Sequence, residues 1–297
     1  MRRHPGRAVA LILLLVATVV GLQAALERRE PLPASGLGGV LYMRSPALVA
    51  RAALSYRTLL ADVYWLRAVQ YFGRTKLSTD PRKQYDLLYP LLDLTTSLDP
   101  RFNVAYRFGA IFLAEPSPGG PGRPDLAIEL LEKGLRSQPN RWELAEDIGF
   151  VWYWWFDDHE RAASWFTRAS RMPDAPEWLA PIAAVTLAQG GNRDSSRQLW
   201  REIARTAEAD WLRGTATLRL SQLDAMDQLD QLRMVADRYQ ERTGRDSFTW
   251  YDVIDEGLIP GVPVDPAGSA YVFSEQGLVT LNPRSALNPL PDRGRTP

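Results

Sequence analysis

The chain of 297 residues has no cysteine and only two histidines, His4 and His159. The first absence excludes disulfides, thiolate metal ligands, a thiol nucleophile and an acylated-cysteine anchor. The second leaves too few imidazoles for a His-rich metal site. An excess of either charge is missing too, since 35 Lys and Arg balance 35 Asp and Glu. No basic stripe stands out, so no nucleic acid held by phosphate neutralisation is expected as a partner. Catalytic signatures are also wanting: there is no phosphate-cradling glycine loop, no Gly-x-Ser-x-Gly elbow and no His-Glu-x-x-His. The expectation is a protein that is not an enzyme, with no catalytic residue, no metal and no cofactor.

What is present begins with an uncharged run, Ala8 to Leu26, behind Arg2, Arg3 and Arg7. Its 19 residues approach the ~20 needed to cross the hydrocarbon of a bilayer. A cleaved signal peptide is the competing reading, but Leu22 sits where a small residue is needed three places before a cut at Ala24. The favoured reading is an uncleaved signal-anchor. Arg28 and Arg29 after the run are offset by Glu27 and Glu30, so the positive bias keeps the start cytoplasmic. In a bacterium the remainder would then be periplasmic, with residues 8–26 in the inner membrane as a single pass. Residues 1–30 are thus assigned to the cytoplasmic start and anchor, and 31–57 to a Pro- and Gly-rich linker with a lead-in helix.

From there the apolar residues recur at intervals of three and four, the period of helices. One spacing returns. Ala127, Leu131, Gly134 and Pro139 match Leu88, Leu92, Thr95 and Pro100; Ala162, Phe166 and Ala169 follow, then Ser196, Trp200 and Ile203. Ahead of each lies a second signature: Phe108-Gly109 with Phe112, Ile148-Gly149 with Trp152, Ala183-Ala184 with Leu187, and Trp65 with Ala68-Val69 and Phe72. These paired signatures resemble the tetratricopeptide repeat, in which small residues sit where two helices cross. The resemblance implies an all-α superhelical solenoid over residues 58–245. The anchors Val69, Gly109, Gly149 and Ala184 are 40, 40 and 35 residues apart, against about 34 in that repeat. A fifth, degenerate hairpin from Trp211 to Thr243 is expected to cap the stack, ending at Gly244.

The aromatic stretch "VWYWWFDDHERAASWF" (Val151 to Phe166) divides under this reading. Ala145, Ile148, Gly149, Trp152 and Phe166 belong to the interior, and Asp157 to Glu160 form a solvated turn. By resemblance, the first helices line a concave groove. That places Asn103, Tyr106 and Ala110 there, then Glu143, Asp147, Phe150 and Tyr153, and finally Trp178 and Val185. Trp154, four residues from Phe150, joins them as a helical neighbour. An aromatic groove edged by carboxylates suits a protein or peptide partner.

Residues 246–297 change in character. Ser247 is expected to cap a short helix through Val253 and Ile254. "SAYVF" and "LVTLN" read as the strands of a hairpin, and the polar, Pro-rich end from Asn282 as a disordered tail. The functional expectation is a membrane-tethered periplasmic scaffold or adaptor in cell-envelope assembly or secretion. The alternative is a structural subunit of a large inner-membrane complex.

Overall fold

The computed structural model describes residues 57–80, 82–274 and 277–291, together with Ala17, Thr18, Gly21, Ala53, Ser55 and Tyr56. The chain divides into two units, Met1–Tyr56 and Arg57–Pro297. Of the run expected to cross the inner membrane only three residues are described, so that expectation falls outside the described residues, as do residues 31–52 of the linker segment. Among the described residues no helix is long and apolar enough to cross a membrane.

The second unit is mostly helical. Its elements are α1 (Arg57–Leu77), α2 (Leu88–Leu98), α3 (Asn103–Ala114), α4 (Pro124–Ser137), α5 (Trp142–Trp154), α6 (His159–Ser170), α7 (Leu179–Gln189), α8 (Arg193–Thr206), α9 (Asp210–Thr243), α10 (Trp250–Asp255), β1 (Val272–Phe273) and β2 (Val279–Thr280). The first-helix signatures fall in α1, α3, α5 and α7, and the second-helix signatures in α2, α4, α6 and α8. Each of α1 to α8 packs on its successor, and α2 also meets α4 as α3 meets α5. Local chemistry sets the boundaries. Pro124 opens α4, where its missing N–H costs nothing. The Asp158 and Asn192 side chains accept from the backbone N–H of Arg161 and Ser195, capping α6 and α8.

Small residues make the crossings possible. A Cβ built on Gly109 would lie 2.9 Å from Leu92 of α2 and 3.0 Å from Leu130 of α4. On Gly134 it would lie 2.9 Å from Leu144 of α5 and 3.1 Å from the Tyr106 ring. On Gly149 it would lie 2.5 Å from the Phe166 ring of α6. At the fourth crossing Ala184 is buried, and the Ser196 hydroxyl of α8 donates to its carbonyl at 2.7 Å. Trp152, expected inside, is only half-buried; its ring lies over the Arg161 guanidinium at 4.5 Å, and Val151 fills the interior instead.

Helix α9 departs from expectation. In place of a hairpin it is one helix of 34 residues, because no Gly or Pro interrupts the sequence between Gly214 and Gly244. Gly244 does end it, in the left-handed conformation at φ 67°. Its first half packs on α8, where Leu212, Ala216 and Leu223 meet Trp200 and Ile203. Arg193 reaches Asp227 and Asp230 from α8, and Arg197 reaches Asp224 and Asp227. Its second half carries a separate core, in which Leu229, Ala236 and Tyr239 meet Trp250, Tyr271, Val279 and Leu287.

The cap of α10 is Thr249 rather than Ser247, since only Thr249 stands three residues before Asp252 and closes a reciprocal capping box with it. The hairpin is present, with Val272 opposite Thr280 and Phe273 opposite Val279. The segment after it is not a loose tail as far as residue 291. Leu287 and Ser285 are buried, and the Gln222 side-chain amide donates to the carbonyls of Leu287 and Pro289 at 2.8 and 2.9 Å. Apolar residues spaced among prolines gave no helical or strand period, yet α9 offers them a surface. Residues 292–297 lie outside the described residues.

Gly149→Ala is expected to destabilise the fold by about 1–3 kcal/mol, because the Phe166 ring must give way. Gly73→Ala, in α1 with nothing within 4 Å of the added methyl, is expected to stabilise by about 0.5–1 kcal/mol. Urea denaturation of both variants checks the pair; equal midpoints would mean that the α5–α6 crossing is not tight.

Candidate protein-binding face

The predicted groove residues separate into three groups. Tyr106 is a correction: it is 0% exposed, its ring lies against Gly134, and its hydroxyl donates to the Thr96 carbonyl at 3.4 Å. The empty space at Gly134 draws the ring towards α4 and away from any open surface. Ala110 is buried likewise.

Asn103, Glu143 and Asp147 form a second group, which ties α3 to α5. Arg107 donates to Asp147 through Nε at 2.6 Å and through its terminal nitrogen at 3.0 Å, a paired and directional contact. Glu146 lies 3.6 Å from the same guanidinium and is only 6% exposed. Arg141 lies 3.7 Å from Glu143. With its amide turned to satisfy both neighbours, Asn103 donates to Gln138 at 3.1 Å and accepts from Arg141 at 3.0 Å. Burial, and then the neighbouring Asp147 charge, push the Glu146 carboxyl up to about 7. Burial raises Asp147 as well, against the opposing pull of Arg107. These carboxylates face one another and the arginines.

The third group does meet at a surface. Phe150, Tyr153 and Trp154 of α5 form one wall of a cavity of about 350 Å³. Pro181, Ile182, Val185, Thr186 and Gln189 of α7 run along its base, and Thr215 and Arg219 of α9 close the far side. Behind them Phe166 and Trp200 are buried. Phe150 meets the Phe166 ring edge-on at 5.2 Å, and the Tyr153 hydroxyl donates to Gln189 at 3.1 Å. Trp154 is 68% exposed at the rim. Trp178 is not among the cavity residues; it stands before α7 with its ring edge-on to Trp142 at 6.0 Å.

Within α1 to α8, large apolar side chains are exposed on alternate helices. Leu59, Val63 and Leu66 are exposed on α1, and Val104, Phe108 and Ile111 on α3. Each trio has the same spacing of four and three. Trp154 on α5 and Trp211 and Leu218 on α9 continue the set. Among the described residues no large exposed apolar side chain lies on α2, α4, α6 or α8. Rings join α1 to α3: Trp65 stacks on Phe112 at 6.0 Å, and Phe72 on Phe112 at 4.4 Å.

The exposed aromatic residue of α3 is Phe108 and not Tyr106, and Ile182, Gln189 and Arg219 line the cavity without having been expected there. The signal was available for α1 and α3, since each helix carries a second apolar stripe opposite the buried one. Nothing local marked Arg219. No family model, curated protein or solved structure matches the chain.

Glu146 gives a pH test. Its folded value lies above its unfolded one, so the fold accommodates the neutral form better. The stability it contributes is complete below about pH 4.5 and is lost as pH rises through about 7. Glu146→Gln is therefore expected to raise stability by about 1–2 kcal/mol at pH 8 and to add nothing at pH 4.5. Chemical denaturation at the two pH values checks this; an equal effect at both would mean that the carboxyl is charged throughout.

Proposed function

We propose that this chain is a scaffold of the tetratricopeptide type. In this reading α1 to α8 are four helix pairs of a superhelical stack, and the first helix of each pair faces a partner protein. Residues 8–26 tether the stack to a bacterial inner membrane, and the helical body works in the periplasm in envelope assembly or secretion. The supporting observation is the exposure of Leu59, Val63, Leu66, Val104, Phe108, Ile111 and Trp154, all of them on α1, α3 and α5. A face this apolar over several helices is of the kind that proteins cover with another protein. Tethering would raise the effective concentration for an envelope partner without tight intrinsic affinity.

The amount of apolar surface also favours a second reading, that of a subunit held permanently in a larger inner-membrane complex. Phe108 at 51% and Leu59 at 59% exposure are costly to leave in water at once. Sedimentation of gently solubilised native membranes separates the two: an adaptor shows a free pool, a subunit none.

A Phe108→Asp, Ile111→Asp double variant is expected to lose the proteins that co-purify with the full-length chain. Its thermal midpoint should stay close to that of the parent, because both side chains are already exposed. Trp154→Ala is expected to weaken the same association and to change stability by no more than about 0.5 kcal/mol. Full retention of partners by the double variant would remove the reading.

A further inference from the structure

The cavity along α7 has a feature that the rest of the apolar face lacks. Arg219 is its one charged lining residue, and among the described residues no carboxylate lies within 4 Å of it. The guanidinium is nevertheless held. Its terminal nitrogen donates to the side-chain oxygen of Gln222 at 2.8 Å. Gln222 is buried, and its own amide nitrogen donates to the carbonyls of Leu287 and Pro289. The segment that follows the hairpin therefore fixes which way the glutamine points, and the glutamine's oxygen fixes the arginine. A cation prepared in this way has little rotamer freedom left to lose when an anion arrives.

The base of the cavity runs from Pro181 to Gln189, roughly 12 Å at the rise of a helix. That length admits two large side chains one helical turn, or two strand residues, apart. Phe150, Ile182 and Val185 give them an apolar bed, and Trp154 stands over the opening. A small molecule would need only the cavity, whereas the exposed trios on α1 and α3 extend apolar surface across further first helices. Exposed apolar side chains beyond the cavity favour a polypeptide over a free small ligand.

We propose that this cavity anchors an acidic segment of a partner protein, which buries two large apolar side chains against α7 and sets a carboxylate on Arg219. This rests on the protein-binding reading above and adds the chemistry of the segment. Arg219 is the specificity-determining residue, and Gln222 with the Leu287–Pro289 strap is its positioning device.

The test uses the full-length chain in lipid nanodiscs and an array of twelve-residue peptides. Each peptide carries two apolar anchors spaced two to four residues apart, in acidic, neutral and basic versions. Fluorescence anisotropy is expected to show the best acidic peptide binding at least tenfold tighter than its basic counterpart at low salt. Arg219→Gln should abolish that preference and leave apolar binding in place. Val185→Trp, which fills the cavity, should abolish binding of every peptide at an unchanged thermal midpoint. If Val185→Trp unfolds the chain, Val185→Leu and Thr215→Leu, which narrow the cavity by less, are expected to weaken binding in order of added volume. Binding indifferent to charge, or unaffected by filling the cavity, overturns the proposal, as does an array with no binder. Dodecanoate binding in the cavity in place of every peptide would overturn it in favour of a lipid. Loss of peptide binding in the Phe108→Asp, Ile111→Asp variant but not in Val185→Trp would place the contact elsewhere on the face; the functional reading would then stand and this one fail.

Discussion

Where Gly109, Gly134 and Gly149 cross their neighbours, the missing side chain lets two helix backbones come within reach of a Leu or Phe from the other helix. A single carbon at any of these points would meet a neighbour at 3 Å or less. Close-packed interiors have no slack to absorb such an intrusion. The approach of α2 to α3, α3 to α4 and α5 to α6 therefore depends on residues that contribute no contacts of their own. The direction in which each helix turns its remaining sides follows from this. Once the glycine side of α3 is committed to α2 and α4, Val104, Phe108 and Ile111 are left on the opposite side, uncovered.

Much of this was readable from the chain. Gly109, Gly149 and Ala184 recur at intervals, and recurrent small residues on apolar helices have a packing cause that can be stated before any coordinates exist. The positions of α1 to α8 follow from that spacing and from the Pro, Gly and Asn punctuation. The hairpin was legible from alternating residues around a tight turn. Phe150, Tyr153, Trp154 and Val185 flank the interior stripe that the spacing locates, and the structure brings them together at one cavity.

What was not legible depended on groups far apart in sequence. Tyr106 lies two residues, about 200° of helical turn, from the exposed Phe108, so it sits on the buried side of α3, and a register borrowed from a resemblance cannot correct that. The pairing of Arg107 with Asp147 joins residues 40 apart, and neither announces the other. The long α9 was mistaken for two helices because the repeat pattern anticipated a pair, although its own sequence supplied no breaker. The order of residues 282–291 comes from surface offered by α9, and proline-rich composition alone reads as loose chain.

One helix belongs to two cores. Because α9 gives its first half to Trp200 and Ile203 and its second half to Trp250 and Tyr271, neither half can fray without withdrawing support from the other. Mechanical or thermal damage entering at the carboxy-terminal hairpin would thus be felt some seven turns away, along an unbroken rod of backbone hydrogen bonds. The carboxy-terminal core and the contacts to α8 thus share one helix, so loosening at either reaches the other through α9.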